Sequence, residues 1–236
     1  MGKIFDLESP VMNFLNKLAD LIFLNILAAV CCIPIITIGA SMTALNYVVL
    51  KIVRNEEGYI TKAFFKSFKQ NFKQATIIWI TLLLVACVLV GDYLIFSYSG
   101  IAFPTWLKVA LVAIGIVVLF ATMHVFPVLS RFENTILNTY KNSLFMGILT
   151  LPKTVVMMVC WAIPVVISAF FPQILPVVFA LGISGPTFLC ALLYNGTFKR
   201  FEPEKEEAEE WTVKEEEPEG EEKEETKQQT EEKNAE

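Results

Sequence analysis

Long segments without a charged side chain constrain this chain more than any other feature. Residues 21–50, 75–91 and 154–198 contain no Asp, Glu, Lys or Arg. A bilayer core of about 30 Å is crossed by a helix of about 20 apolar residues. Because these segments are continuously apolar, we predict an all-α fold, that of a polytopic helical membrane protein.

Charge divides the chain into two predicted domains. Residues 1–201 carry 14 Lys and Arg against 7 Asp and Glu, a net charge of +7, whereas residues 202–236 carry 17 Glu and 5 Lys, a net charge of −12. A segment so rich in Glu cannot bury enough apolar surface to offset its chain entropy. We therefore predict a helical membrane domain over 1–201 and a disordered acidic C-terminal tail over 202–236.

The apolar pattern predicts six transmembrane helices, with five as the alternative. Between Lys17 and Lys51 lie 33 residues, with Asp20 as their only charge. As one helix they would be about 50 Å long, too long for a bilayer of about 30 Å unless strongly tilted. Pro34 weakens a helix here and Gly39 permits a turn, which favours two shorter helices. The predicted spans are residues 18–35, 36–53, 76–96, 106–129, 154–170 and 177–195.

The distribution of basic residues also favours six crossings. With six, both termini are cytoplasmic, and 13 of the 14 Lys and Arg of the membrane domain face the cytoplasm. Only Lys108 then lies outside. With five, the N-terminus is outside together with Lys3, Lys17 and Lys108. Both arrangements satisfy the positive-inside rule, and six crossings satisfy it better.

Two segments between the spans have the pattern of amphipathic helices. In residues 61–73, aromatic and basic residues occupy opposite sides of a helix, so we predict that this helix lies flat and contacts the membrane surface or a partner. The contacting residues would be Phe64, Phe65, Phe68, Phe72, Lys62, Lys66 and Lys69. Residues 131–149 form a second such segment, which we also expect along the surface.

A weak internal similarity links "IGASMTALNYVVLKIVR", residues 38–54, to "SGPTFLCALLYNGTFKR", residues 184–200. Each stretch begins with a break of small residues, continues as a returning helix and ends in basic residues. Membrane helices resemble one another in composition, so the sequence leaves open whether this is a true repeat. The predicted helix-break residues are Pro34, Gly39, Gly185 and Pro186.

The sequence contains no recognisable catalytic or metal-binding motif, neither a P-loop nor a metalloprotease or hydrolase signature. The single histidine, His124, has no suitably spaced partner ligand. We expect it to be packed in the core, and we expect Asp92 to reach the outer interface. The five cysteines lie in apolar runs and are expected to be buried small side chains. We therefore expect no enzymatic activity, no cofactor and no metal.

Several stretches resemble a known family. "PIITIGASMTALNYVVLKIVRNEEGYITKAFFKSFKQNFKQATIIW", "FPVLSRFEN" and "LGISGPT" look like the YesL family of bacterial membrane proteins, a domain of unknown function. The resemblance covers roughly residues 5–201. It implies helical membrane architecture, and members are often encoded beside carbohydrate-uptake permeases and carbohydrate-degrading enzymes. It supplies no catalytic or binding residues.

These observations together predict a multi-pass protein of the bacterial cytoplasmic membrane with both termini cytoplasmic. The resemblance and the charge pattern favour an accessory or scaffold component linked to carbohydrate uptake. A small passive transporter or facilitator of a neutral solute is the alternative, and a membrane enzyme is third. The expected partners are the lipid bilayer and a carbohydrate-uptake permease or other membrane protein, and no nucleic acid. The oligomeric state stays open.

Overall fold

The computed structural model describes residues 10–56, 58–98 and 104–202, and over these residues the chain is helical without a strand. This confirms the predicted all-α fold. Short 3-10 turns at Ile35–Thr37 and Pro172–Ile174 precede two of the helices. The helices are α1 (Pro10–Cys31), α2 (Ile38–Arg54), α3 (Ile60–Tyr98), α4 (Thr105–Arg131), α5 (Ile136–Leu149), α6 (Leu151–Phe170), α7 (Leu175–Leu181) and α8 (Ser184–Phe198).

Helices α1, α2, α3, α4 and α6 are each long and apolar enough to cross a membrane. A sixth crossing results if Pro172–Leu181 and Ser184–Phe198, bent by 57°, form one broken span. The predicted range of five to six membrane-crossing helices is therefore confirmed within the described residues. Spans predicted at 106–129 and 154–170 correspond closely to α4 and α6.

Helices α1 and α2 form an antiparallel hairpin whose turn contains Pro34. Near the turn, the Ser41 hydroxyl donates to the Ala28 carbonyl oxygen at 2.9 Å. At the other end, Lys17 Nζ donates to Asn55 Oδ1 at 2.6 Å. Asn55 ends α2 in the left-handed conformation, with φ 54°. The returning helix predicted at 36–53 is thus present as α2.

Gly39, predicted as a helix-break residue, lies in the first turn of α2 and not in the break. A Cβ at this position would collide with the Ala75 carbonyl oxygen and come within 2.7 Å of Trp79 Cβ. Trp79 Nε1 also donates to the Ile35 carbonyl oxygen at 2.8 Å. The glycine therefore permits close packing of α2 on α3, which is a packing role that small residues have in membrane helices.

Helix α3 departs from the prediction. The segment 61–73, predicted as a separate helix lying flat, forms the first part of one 39-residue helix that also contains the predicted span 76–96. Neither Gly nor Pro occurs between Ile60 and Val90, so nothing in the sequence ends the helix. At 1.5 Å per residue α3 is about 58 Å long, so it tilts or projects beyond a bilayer of about 30 Å.

The span predicted as one helix over 177–195 is broken into α7 and α8. Pro186 has no backbone N–H, and its ring clashes with the carbonyl of Gly182 four residues earlier in a continuous helix. The Asn25 side chain of α1 bridges the break: Nδ2 donates to the Phe179 carbonyl oxygen at 2.8 Å. Its Oδ1 accepts the N–H groups of Ile183 at 3.0 Å and Ser184 at 2.9 Å. Gly185 and Pro186 follow the break and lie in α8.

A buried core joins α2, α3 and α4, and α5 packs against it. The core residues are Ala40, Ala75, Ile78, Leu82, Val125, Phe126 and Leu129. Tyr140 of α5 packs on this cluster and its hydroxyl donates to the Ile78 carbonyl oxygen at 3.1 Å. Removal from water raises the pKa of the Tyr140 phenol above its ordinary value. The segment 131–149 was expected along the surface; instead, the side of α5 that carries Tyr140 packs against the core of the bundle.

The chain divides into two compact units, residues 1–195 and 196–236. The first contains the helices up to most of α8 and all the contacts described above. Of the second, residues 196–202 are described, and they complete α8 and a following turn. Except for Glu202, the predicted acidic tail lies outside the described residues, and its disorder stays a prediction.

Candidate functional site

The aromatic side of the first half of α3 packs largely against the rest of the protein. Phe64 is completely buried, and its ring lies 6.2 Å from that of Phe68, which lies 5.6 Å from that of Phe72. Phe68 and Phe72 pack against the core. Phe65, with 39% of its surface exposed, is the most accessible of the four. Contact of this face with a membrane or partner is therefore restricted, because Phe64 is not at the surface.

The basic side of the same helix remains exposed. Lys62, Lys66, Lys69 and Lys73 all lie on the surface of α3. Lys62 Nζ lies 4.9 Å from the centre of the Tyr59 ring, within cation–π range. The predicted lysines are therefore at the surface, and their contact with lipid or a partner stays a prediction.

A polar recess of about 720 Å³ lies beside these lysines, between α2, α3, the end of α4 and the connection 132–135. The α3 wall consists of Ser67, Gln70, Asn71 and Gln74, one helical stripe at i, i+3, i+4 and i+7. Arg131, Glu133 and Thr135 are among the residues of the opposite wall. We call this the polar recess. This recess was not predicted from the sequence, although the polar stripe in "SFKQNFKQ" is a signal that could have indicated it.

Hydrogen bonds hold the walls of the polar recess in place. Gln74 Nε2 donates to the Asn134 carbonyl oxygen at 2.6 Å and to Thr139 Oγ1 at 3.3 Å. Asn71 Nδ2 donates to the Ser67 carbonyl oxygen at 3.1 Å. The connection enters and leaves with extended backbone at Phe132 and Thr135. The recess is thus a shaped depression built by α2, α3, the end of α4 and the connection 132–135, all within the first unit.

The wall of the polar recess carries one cation, Arg131, and one carboxylate, Glu133. Three exposed lysines of α3, Lys66, Lys69 and Lys73, are each adjacent in sequence to a wall residue and add positive charge near its edge. Amides and hydroxyls supply hydrogen-bond donors and acceptors, and the surrounding cations favour negative charge. The recess therefore suits a polar, acidic surface.

The interior residues singled out in the sequence do not form a chemical centre. His124 is 1% exposed, and its Nε2 lies 2.9 Å from Thr154 Oγ1. Asp92 lies near the end of α3 with Tyr93 and Tyr98, both of which are exposed. Within the ranges that the structure describes, no group of three or more His, Cys, Asp or Glu could hold a metal ion.

The fold and this surface define a class: a polytopic helical membrane protein with a polar recess beside exposed lysines of α3. Residues 20–93 match the model of a family described as "Protein of unknown function, DUF624". This is the YesL-type domain, so the resemblance is confirmed over most of α1, all of α2 and most of α3. The match includes the α3 wall of the polar recess. No curated protein and no solved structure matches the chain.

Proposed function

We propose that this protein is a non-enzymatic accessory or scaffold component of a membrane assembly for carbohydrate uptake in the bacterial cytoplasmic membrane. It binds its partner, a carbohydrate-uptake permease, through the polar recess and the adjoining lysines of α3. The single observation that carries this proposal is the polar recess itself, a shaped polar depression outside the apolar core with exposed lysines of α3 beside it. The link to carbohydrate uptake rests on the family resemblance.

Charge and shape support a protein partner at this place. A volume of about 720 Å³ accommodates several side chains of a partner loop. The exposed lysines attract acidic residues of such a loop and raise the association rate in a salt-dependent way. Since the amide and hydroxyl wall is held by internal hydrogen bonds, it is organised before a partner binds.

The alternative, passive transport of a neutral hydrophilic solute, is less well supported. A cavity of about 320 Å³ lies between the helices, but its wall is mainly apolar. Its polar wall residue Asn46 donates from Nδ2 to the Met42 carbonyl oxygen at 2.8 Å and accepts from the Tyr194 hydroxyl at 3.2 Å. A hydrophilic solute that leaves water needs polar groups of the wall to replace its hydrogen bonds to water. Here the Asn46 amide is already hydrogen-bonded to Met42 and Tyr194.

Site-specific photo-crosslinking in native membranes tests the proposal. A benzophenone amino acid replaces Gln70 at the edge of the recess, and in a matched control it replaces Asn142, which is exposed on α5. We expect Gln70 to crosslink to a carbohydrate-uptake permease at least several-fold more than Asn142 does. Lys66→Glu together with Lys69→Glu should reduce this crosslink, whereas Lys141→Glu on α5 should not.

Two results would contradict the proposal. Equal permease capture from Gln70 and Asn142 would show that the recess has no special role. Uptake of a labelled neutral sugar by proteoliposomes containing this protein alone would favour the transporter alternative. Each variant is first checked for membrane insertion and for an unchanged size-exclusion profile.

A further inference from the structure

The cavity of about 320 Å³ inside the bundle has a wall of a different chemistry from the polar recess. Residues of α2, α3, α4, α6 and α8 form most of it. Apolar, aromatic and sulfur-containing side chains predominate, among them Met42, Trp79, Met123, Phe126, Met157 and Trp161. Methionine side chains adapt to flexible apolar ligands, and tryptophan supplies a large apolar surface. A mainly apolar wall around at least 300 Å³ is typical of a binding site for an apolar molecule.

The hydroxyl groups of the wall are engaged within their own helices. Thr122 Oγ1 donates to the Val118 carbonyl oxygen at 2.8 Å, and Thr187 Oγ1 donates to the Ile183 carbonyl oxygen at 2.7 Å. A buried water needs two to four polar partners. With the hydroxyl protons directed into helix carbonyls, the wall favours an apolar occupant over water or a hydrophilic solute.

The cavity reaches an apolar surface at the α1–α2 turn. Cys32 and Ile38 belong to its wall, and they flank Ile33, Ile35 and Ile36. These three isoleucines are 76%, 64% and 58% exposed. In a membrane protein such a surface faces lipid chains, because the bilayer interior is the apolar solvent. The wall of the cavity is therefore continuous with a surface that suits lipid.

We propose that this cavity binds one acyl chain of a bilayer phospholipid, which enters beside the α1–α2 turn. The chain would lie between Trp79 and Trp161 and contact the methionines of α2, α4 and α6. Trp79 Nε1 is fixed by its hydrogen bond to the Ile35 carbonyl oxygen at 2.8 Å, so its ring is held at the same turn. This site is separate from the polar recess and does not depend on the proposed partner.

Quenching of tryptophan fluorescence by bromine tests the proposal directly. Trp106→Phe and Trp211→Phe leave Trp79 and Trp161 as the reporters. The protein is reconstituted in dioleoyl-phosphatidylcholine vesicles, either normal or brominated on the acyl chains. Thr122→Phe and Ile38→Phe each fill part of the cavity from a different wall, and Leu119→Phe adds the same ring at a position of α4 that is 45% exposed.

We expect strong quenching in the parent and in Leu119→Phe, and at least two-fold weaker quenching in both filling variants. Native mass spectrometry should find one retained phospholipid in the parent and in Leu119→Phe, and less in the filling variants. Equal quenching in all four proteins would overturn the proposal, since lipids around the protein would then explain it. A second pair of results would also overturn it. In that pair, free brominated stearic acid quenches the tryptophan fluorescence of detergent-solubilised protein, but brominated phospholipid vesicles do not quench the tryptophan fluorescence. Two filling variants guard against misfolding of either one.

Discussion

Gly39 decides how closely α2 approaches α3, because a hydrogen takes the place of a Cβ atom next to the α3 backbone. Gly39→Ala should destabilise the protein by about 1–3 kcal/mol, as overpacking of a dense core does. The Ala75 carbonyl and Trp79 Cβ cannot move aside as a flexible side chain could. Thermal unfolding in mild detergent measures the effect. Gly115→Ala on α4 is the control, since nothing lies within 4 Å of its Cβ position. Equal midpoints for the two variants would refute the packing role.

Asn25 is the second residue with a disproportionate structural role. It is 2% exposed and bonds three backbone groups across the break between α7 and α8. Asn25→Ala should leave these groups unpaired, at a cost of about 1–3 kcal/mol for each unsatisfied group. Hydrogen exchange should therefore accelerate at Ile183 and Ser184. Asn16→Ala on the exposed side of α1 should not change it, and unchanged exchange in Asn25→Ala would argue against the bridging role.

At the scale of elements, a distance measurement on α3 can distinguish one continuous helix from a helix bent at Ala75. As one helix it places residues 69 and 87 about 27 Å apart along its axis. A flat segment bent by a right angle at Ala75 would place them roughly 20 Å apart. Cys87 was expected to be buried but is exposed, and of the five cysteines only Cys190 is buried. Lys69→Cys and the native Cys87 accept spin labels after the other four cysteines are replaced by alanine. We expect the longer distance from pulsed electron spin resonance.

The control for this distance uses labels at Ile77 and Cys87, both exposed on the second half of α3. Both geometries place this pair about 15 Å apart, so it calibrates the contribution of the label arms. A distance for the longer pair that matches the bent geometry would restore the interfacial helix predicted over 61–73.

The same elements show which parts of the fold follow from sequence. Continuous apolar runs predicted α2, α4 and α6 closely, since the length and polarity of a span are local properties. For α1 they predicted a helix but not its bounds: the span predicted at 18–35 lies in a helix that begins at Pro10 and ends at Cys31. The amphipathic pattern of 61–73 indicated a helix, but a pattern does not reveal that the helix continues into the next span. Its aromatic side resembled a membrane-contacting surface because packing on a protein core demands the same side chains.

The candidate site was less accessible to sequence analysis. The lysines were found, but the polar recess needs the connection 132–135 beside α3, a contact across about 60 residues of sequence, as in the Gln74–Asn134 hydrogen bond. Asn25 was missed for the same reason, since its partners lie more than 150 residues away. Such tertiary contacts leave no periodic trace along the chain.

At the scale of the whole molecule, Lys17 of α1 and Asn195 of α8 lie at the same end of the first unit. Lys17 contacts Asn55 after α2, and Arg54 Nε donates to Asn195 Oδ1 of α8 at 2.9 Å. A chain whose first and last spans have their outer ends on one side of the membrane crosses it an even number of times. This favours six crossings, with α7 and α8 as one broken span. Reporters fused before Met1 and after Arg200 should therefore both report the cytoplasm, where the basic residues concentrate. A reporter between α3 and α4 should report the outside, and termini on opposite sides would establish five crossings instead.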